Sequence, residues 1–156
     1  MANKFDLNKV LKNLEQVKRQ LPDEMANLSL RFFQNSFRIS GWNDGGISPW
    51  RQRKRPDPKG RKILVVRGNL KRSVQIKSKT FERIVIGSYL PYSEVHNEGF
   101  TGVQQVGTYK RRDGATVKAH SRRMTIPKRQ FMGESRTLKQ QQIDRILKMI
   151  DRAFKP

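Results

Sequence analysis

The chain has 156 residues, enough for one domain with a modest core, and only 35% are hydrophobic while 30% are charged. It has no cysteine and two histidines, which excludes disulfides and thiolate metal sites and leaves too few imidazoles for a typical zinc site. No run of ~18 apolar residues is present and the first ten residues carry no apolar leader, so the expectation is a chain made in the cytoplasm with no membrane span.

Net charge is +21, from 34 Lys+Arg against 13 Asp+Glu, and it is unevenly spread. Residues 1–40 carry +3, 41–80 carry +10, 81–120 carry +1 and 121–156 carry +7. Two cationic stretches therefore flank a nearly neutral centre. A polyanion or an acidic protein face would relieve the self-repulsion; a solubilising surface is the alternative.

In chain order, Leu7, Val10, Leu11, Leu14, Val17 and Leu21 follow the helical period behind Asp6 as N-cap, predicting a helix over 6–21. Pro22 lacks a backbone donor and biases Leu21 away from helix, so a break is expected there. A second helix over 23–39 follows, with Asp23 and Glu24 in its first turn and a core stripe of Met25, Leu28, Phe32, Phe33 and Phe37.

Residues 41–62 read as a loop, because Gly, Pro and Asp are too dense for any element longer than a turn. The loop holds Trp42 and Trp50, then Arg51, Arg53, Lys54, Arg55, Lys59, Arg61 and Lys62. Tryptophan beside arginines suits stacking and phosphate contact with nucleic acid. It equally suits an indole anchoring a loop whose charges lie in solvent, and Trp50 is assigned that anchoring role.

Over 63–99 the pattern predicts sheet and a short helix. Gly68-Asn69 marks a turn, Leu70–Ser73 a helical turn, and Val74 and Ile76 alternate with polar residues. A connection over 78–83 leads into a strand at Ile84–Ile86, ended by a Gly87-Ser88 turn. Pro91 then opens a short helix whose Tyr92, Val95 and His96 share one face, closed by Gly99.

Residues 100–123 lose periodicity and form a basic arm with Lys110, Arg111, Arg112, Arg122 and Arg123, and Asp113-Gly114 suits a type I′ hairpin turn. This arm is the leading candidate for the surface that meets a neighbour or DNA. Met124–Ile126 form a strand stopped by Pro127. A helix to 154 then starts from a Thr137-x-x-Gln140 capping box, and its stripe of Leu138, Ile143, Ile146, Leu147, Ile150, Ala153 and Phe154 is expected to pack across the sheet.

His96, with Glu94 and Glu98 nearby, is the one constellation that suggests acid–base or metal chemistry. On a helix both carboxylates lie two positions away and neither faces the imidazole. There is no nucleophile elbow, P-loop or HExxH motif, so no catalytic, metal or cofactor residue is assigned and a non-enzyme is expected. The fold class is α+β: a small, mainly antiparallel sheet from residues 63–87 and 117–127, packed by N-terminal helices and a C-terminal amphipathic helix, with long basic loops.

Taken together, the chain resembles the phage virion morphogenesis (tail completion) proteins of tailed bacteriophages. The likeness spans Ser48-Pro49-Trp50, Ile63-Leu64, Gly68-x-Leu70-x-x-Ser73-Val74 and Val85-x-Gly87. It continues through Pro91-Tyr92-x-x-Val95-His96-x-x-Gly99 and Ile126-Pro127-x-Arg129-x-Phe131-Met132-Gly133. The chain departs from the family's pattern at Lys128 and Gln130 and in its longer, more basic arm. The resemblance implies a structural protein of the virion neck, acting as a homo-oligomeric ring where head meets tail. Portal, neck or tail proteins are the implied partners, with non-specific contact to packaged DNA and no membrane. In such a ring Arg129 would position a segment or a neighbouring subunit.

Overall fold

The computed structural model describes residues 6–155. Its longest element is a single helix, α1, Leu7–Ile39, 33 residues long. The Asp6 side chain caps it by accepting from the amide of Lys9 at 3.1 Å. The break expected at Pro22 does not occur: the proline sits inside the helix. A helix-interior proline costs about 3 kcal/mol, so something must hold the two halves in line. The C-terminal helix, α4 (Arg136–Ala153), does so by bridging the proline. It bonds α1 ahead of Pro22 through Asn13 Nδ2 and the Ala153 carbonyl at 3.2 Å. Beyond Pro22 it bonds through Arg145 to Glu24 at 2.8 Å and Gln142 to Ser29 at 2.9 Å.

The helix ends at Ser40, whose left-handed φ of 53° turns the chain into β1, Gly41–Asn43. β1 pairs antiparallel with β2, Ile47–Pro49, so the stretch expected to be loop from residue 41 opens with a hairpin. Gly41 permits this: a Cβ there would sit 2.8 Å from the Ser48 carbonyl oxygen.

After the basic loop come α2 (Asn69–Ser73), β3 (Val74–Lys79) and β4 (Ile84–Ser88), then α3 (Ser93–Glu98). β3 and β4 form an antiparallel hairpin with a bulge between Ile76 and Ser78. Gly87 and Ser88 stay in strand rather than turn, pairing with Gln75 and Val74.

The arm is the largest departure from expectation. β5 (Phe100–Val106) runs antiparallel to β8 (His120–Ile126) from Phe100↔Ile126 to Val106↔His120. A smaller pair, β6 (Tyr109–Lys110) with β7 (Thr116–Val117), closes the tip. The strand that was expected to join the 63–87 sheet thus pairs within its own arm, and the described residues form four separate two-stranded ladders. At the tip, Gly114 has φ 84° while Asp113 is not in the left-handed region. Arg111 and Ala115 close a three-residue loop ending in a left-handed glycine, in place of the expected type I′ pair.

The core gathers Phe37, Trp50, Ile63, Leu70, Val74 and Phe131. The Phe37 ring lies 5.0 Å from that of Phe131 and 5.7 Å from that of Trp50. Trp42 packs on Phe32 and Phe33. The main packing partner of α4 is α1 and not a sheet face. Its N-cap is Ser135, accepting from Leu138 N at 3.1 Å, two residues before the expected Thr137. The Thr137 hydroxyl is occupied by the β1–β2 hairpin, through Gly45 N at 2.8 Å and Asn43 Oδ1 at 3.1 Å. Packing on α1 splits the apolar stripe of α4. Leu138, Met149 and Ala153 are buried, whereas Ile143, Leu147, Ile150 and Phe154 face outward.

Candidate functional site

The segments that carry the family resemblance meet at one place, the turn from Pro127 to Gly133 that follows β8. The Trp50 indole nitrogen donates to the Gln130 carbonyl at 2.8 Å. Asn97 Oδ1 accepts from the amides of Phe131 (2.9 Å) and Met132 (3.0 Å), and its Nδ2 donates to the Met132 carbonyl at 3.1 Å. The Arg129 amide donates to the His96 carbonyl at 2.9 Å. The Arg129 guanidinium donates through Nε and Nη2 to the Arg51 carbonyl at 3.2 and 3.1 Å. Phe131, wholly buried, anchors the turn from beneath. Loop, α3 and the post-β8 segment are thereby fastened together, which is how residues far apart in sequence become one joint.

Gly99 is required at this joint. Its φ is 82° and a Cβ would come 2.9 Å from the Lys128 amide nitrogen. Gly68, with φ 71°, starts α2 and so places the buried Leu70. Gly87 meets no such demand. Asn97, which makes more bonds to the turn than any residue of its motif, was missed by the sequence reading. An asparagine inside a short polar helix gives no hydrophobic signal.

Tyr92 and His96 do share a face, with their rings edge-on at 5.9 Å. They border an open groove of about 330 Å³ with Leu64, Val66, Gly68 and Leu70. His96 Nδ1 is buried without a hydrogen-bond partner. Burial, then the charge of Arg129, holds the imidazole below its usual pKa, so it is neutral at pH 7. Glu98 is turned to Lys128 at 3.1 Å, which, with Asn97, keeps its carboxyl ionised. No carboxylate orients the imidazole and no nucleophile stands beside it. Among the described residues, no group of His, Cys, Asp or Glu could hold a metal ion.

The basic loop is folded back on itself. Arg53 donates to the carbonyls of Arg61 (2.8 Å) and Lys62 (2.9 Å), and Lys62 Nζ reaches the Arg38 carbonyl at 2.9 Å. Asp57 accepts from Lys59 N and from the Arg61 side chain, which lowers its pKa to about 2. Among the described residues the side chains of Arg51, Lys54, Arg55 and Lys59 make no hydrogen bond, and all four residues are exposed. The other cationic set lies on the ribbon. Lys110, Arg111 and Arg112 are exposed at its tip, Arg123 lies opposite Val103, and Arg122 is held by Gln104 Oε1 at 2.9 and 2.7 Å. The loop and Arg129 are brought together; the ribbon residues stand apart from them. Trp42 and Trp50 are both buried, so neither offers a face for a base to stack on.

The body is α+β, with cationic side chains exposed on the loop and on the ribbon and an outward apolar stripe on α4. The chain matches the phage virion morphogenesis family over residues 5–151 and belongs to it: it is a phage virion morphogenesis protein, from a structural and not an enzyme family. No curated protein and no solved structure matches it. Other virion components are therefore its partners, and among the described residues no helix is long and apolar enough to cross a membrane.

Proposed function

We propose that this protein completes the tail and joins it to the head, assembling as a homo-oligomeric ring at the neck around the DNA passage. The observation that carries this reading is the β5–β8 ribbon. Among the described residues it is a two-stranded ladder with both outer edges unpaired, a form only marginally stable by itself in water. A ring subunit presents two different faces to its neighbours, and an arm with free strand edges supplies one of them. The outward stripe of α4 supplies an apolar face to match, with Leu147 59% and Phe154 49% exposed. The Asn13–Ala153 bond sets the start of α1 beside the end of α4, so exposed Leu7 and Leu11 lie at the same end as Phe154.

Charge explains why such a ring would form around DNA. Copies carrying +21 repel one another, and a polyanion in the passage offsets that repulsion. Mass photometry of the purified chain, with and without duplex DNA or a neighbouring neck protein, tests the reading. Discrete closed oligomers support it; a monomer under every one of these conditions contradicts it.

A further inference from the structure

We propose that Arg51, Arg53 and Arg129 form a phosphodiester site through which the chain grips the backbone of duplex DNA without reading its bases. The guanidinium of Arg129 lies on the carbonyl of Arg51, near enough to the charges of Arg53 and Arg51 to feel both. The guanidinium of Arg53 is fixed in turn on the carbonyls of Arg61 and Lys62. Backbone carbonyls therefore orient Arg53 and Arg129, and among the described residues neither Arg51 nor Arg129 is ion-paired to a carboxylate, while Arg53 shares Asp57 with Arg61. The one carboxylate of the loop, Asp57, is held by Arg61 at 2.9 Å and stands 3.4 Å from Arg53. Burial, then the nearby charges of Arg53 and Arg51, lowers the pKa of Arg129, as expected where like charges are held together.

Guanidinium forks match phosphate oxygens, and Arg53 and Arg129, already held in position, lose little freedom on binding, while the exposed Arg51 is free to close on the same phosphate. Lys54, Arg55 and Lys59 extend the cluster along the same loop, which has seven basic residues and one acidic residue over 51–62. A linear polyanion can neutralise such a track at once and release its counterions, whereas one protein carboxylate meets a single fork. With both tryptophans buried, the loop lacks the stacking platform that single-strand binders use. Duplex backbone is the ligand that remains, contacted for position and not for sequence.

The site rests on the neck reading only in that a subunit surrounding a DNA passage meets duplex backbone. It is measured on the isolated chain, so either proposal can fail without the other. Fluorescence anisotropy would follow binding of two unrelated duplexes of about 30 base pairs, and of the matching single strand, between ~50 and ~200 mM salt. Equal affinity for both duplexes is expected, falling roughly 40-fold across that range if about three phosphates are contacted. Arg51→Ala, whose side chain bonds nothing in the fold, should flatten the log–log salt slope by about 0.9. Arg51→Lys should keep the slope with weaker binding, and Arg111→Ala on the ribbon tip should leave the slope unchanged. The proposal is overturned by an absence of duplex binding at ~50 mM salt, by tighter binding of the single strand, or by an Arg51→Ala slope equal to wild type. Polyglutamate competing as well as duplex DNA would overturn it in favour of an acidic protein surface.

Discussion

The indole nitrogen of Trp50 donates to the carbonyl of Gln130 at 2.8 Å, joining positions 80 residues apart. Around that bond Asn97 and Arg129 add theirs, and the turn after β8 becomes the point where loop, α3 and C-terminal segment are tied. Trp50→Phe keeps most of the packing but leaves a part-buried carbonyl unsatisfied, and should cost about 1–2 kcal/mol. Trp50→Ala also opens a cavity against Phe37 and should cost about 3–5 kcal/mol. Urea unfolding followed by circular dichroism measures both; a Trp50→Phe variant as stable as wild type would show that the bond does not hold the joint.

Pro22 lies inside a continuous helix, so Pro22→Ala should stabilise the chain, by up to about 3 kcal/mol, because it restores a backbone donor and removes a steric clash. Thermal melts give the sign directly. A neutral or negative effect would mean that the proline marks a real bend that the fold uses.

His96 and Asp57 are among the groups that make stability depend on pH, and both are lowered from their ordinary values. His96 is depressed below 6.5 by burial and by Arg129, so its contribution is complete above pH 6.5 and is lost as the pH falls through the lower folded value. His96→Gln should remove that slope while leaving the fold intact. Asp57, at about 2 against 3.8 when unfolded, contributes fully above 3.8 and loses its contribution as the pH falls towards 2. Asp57→Asn should flatten the acid limb between those values. Denaturant midpoints across the pH range test both assignments, and an unchanged slope in either variant refutes the corresponding one.

Leu147 and Phe154 face outward on α4, so Leu147→Glu should leave the melting temperature within about a degree or two of wild type, as for an ordinary surface change. Assembly should be reduced at least tenfold, read by mass photometry. A variant that assembles normally would remove the α4 stripe from the subunit contact.

Much of this architecture was legible from periodicity. The α4 helix, the β3 alternation and the shared Tyr92–His96 face are present, although only part of the α4 stripe, Leu138 and Ala153 with it, turns inward. The ribbon had no such signal. Burial alternates along β5, but its half-buried face carries Gly102 and Gln104 beside Val106 while Val103 is exposed, so residue polarity does not follow the alternation. Pro22 misled for a different reason: local preference was overridden by α4 lying along both halves of α1. Ser135 displaced Thr137 as the cap because Thr137 serves the β1–β2 hairpin, a contact between segments about 90 residues apart that no local motif encodes. The basic residues of the loop were visible as charge. That Arg129 would join Arg51 and Arg53, and that both tryptophans would turn inward, depended on the tertiary joint.

Cryo-electron microscopy of the assembled particle at its head–tail junction tests the central claim most directly. The expected density is a closed ring of this chain at the neck, with each ribbon laid against the next copy and the loop of Arg51 and Arg53 turned to the DNA. Density for the chain elsewhere in the virion, or as separate single copies with free ribbons, would contradict it.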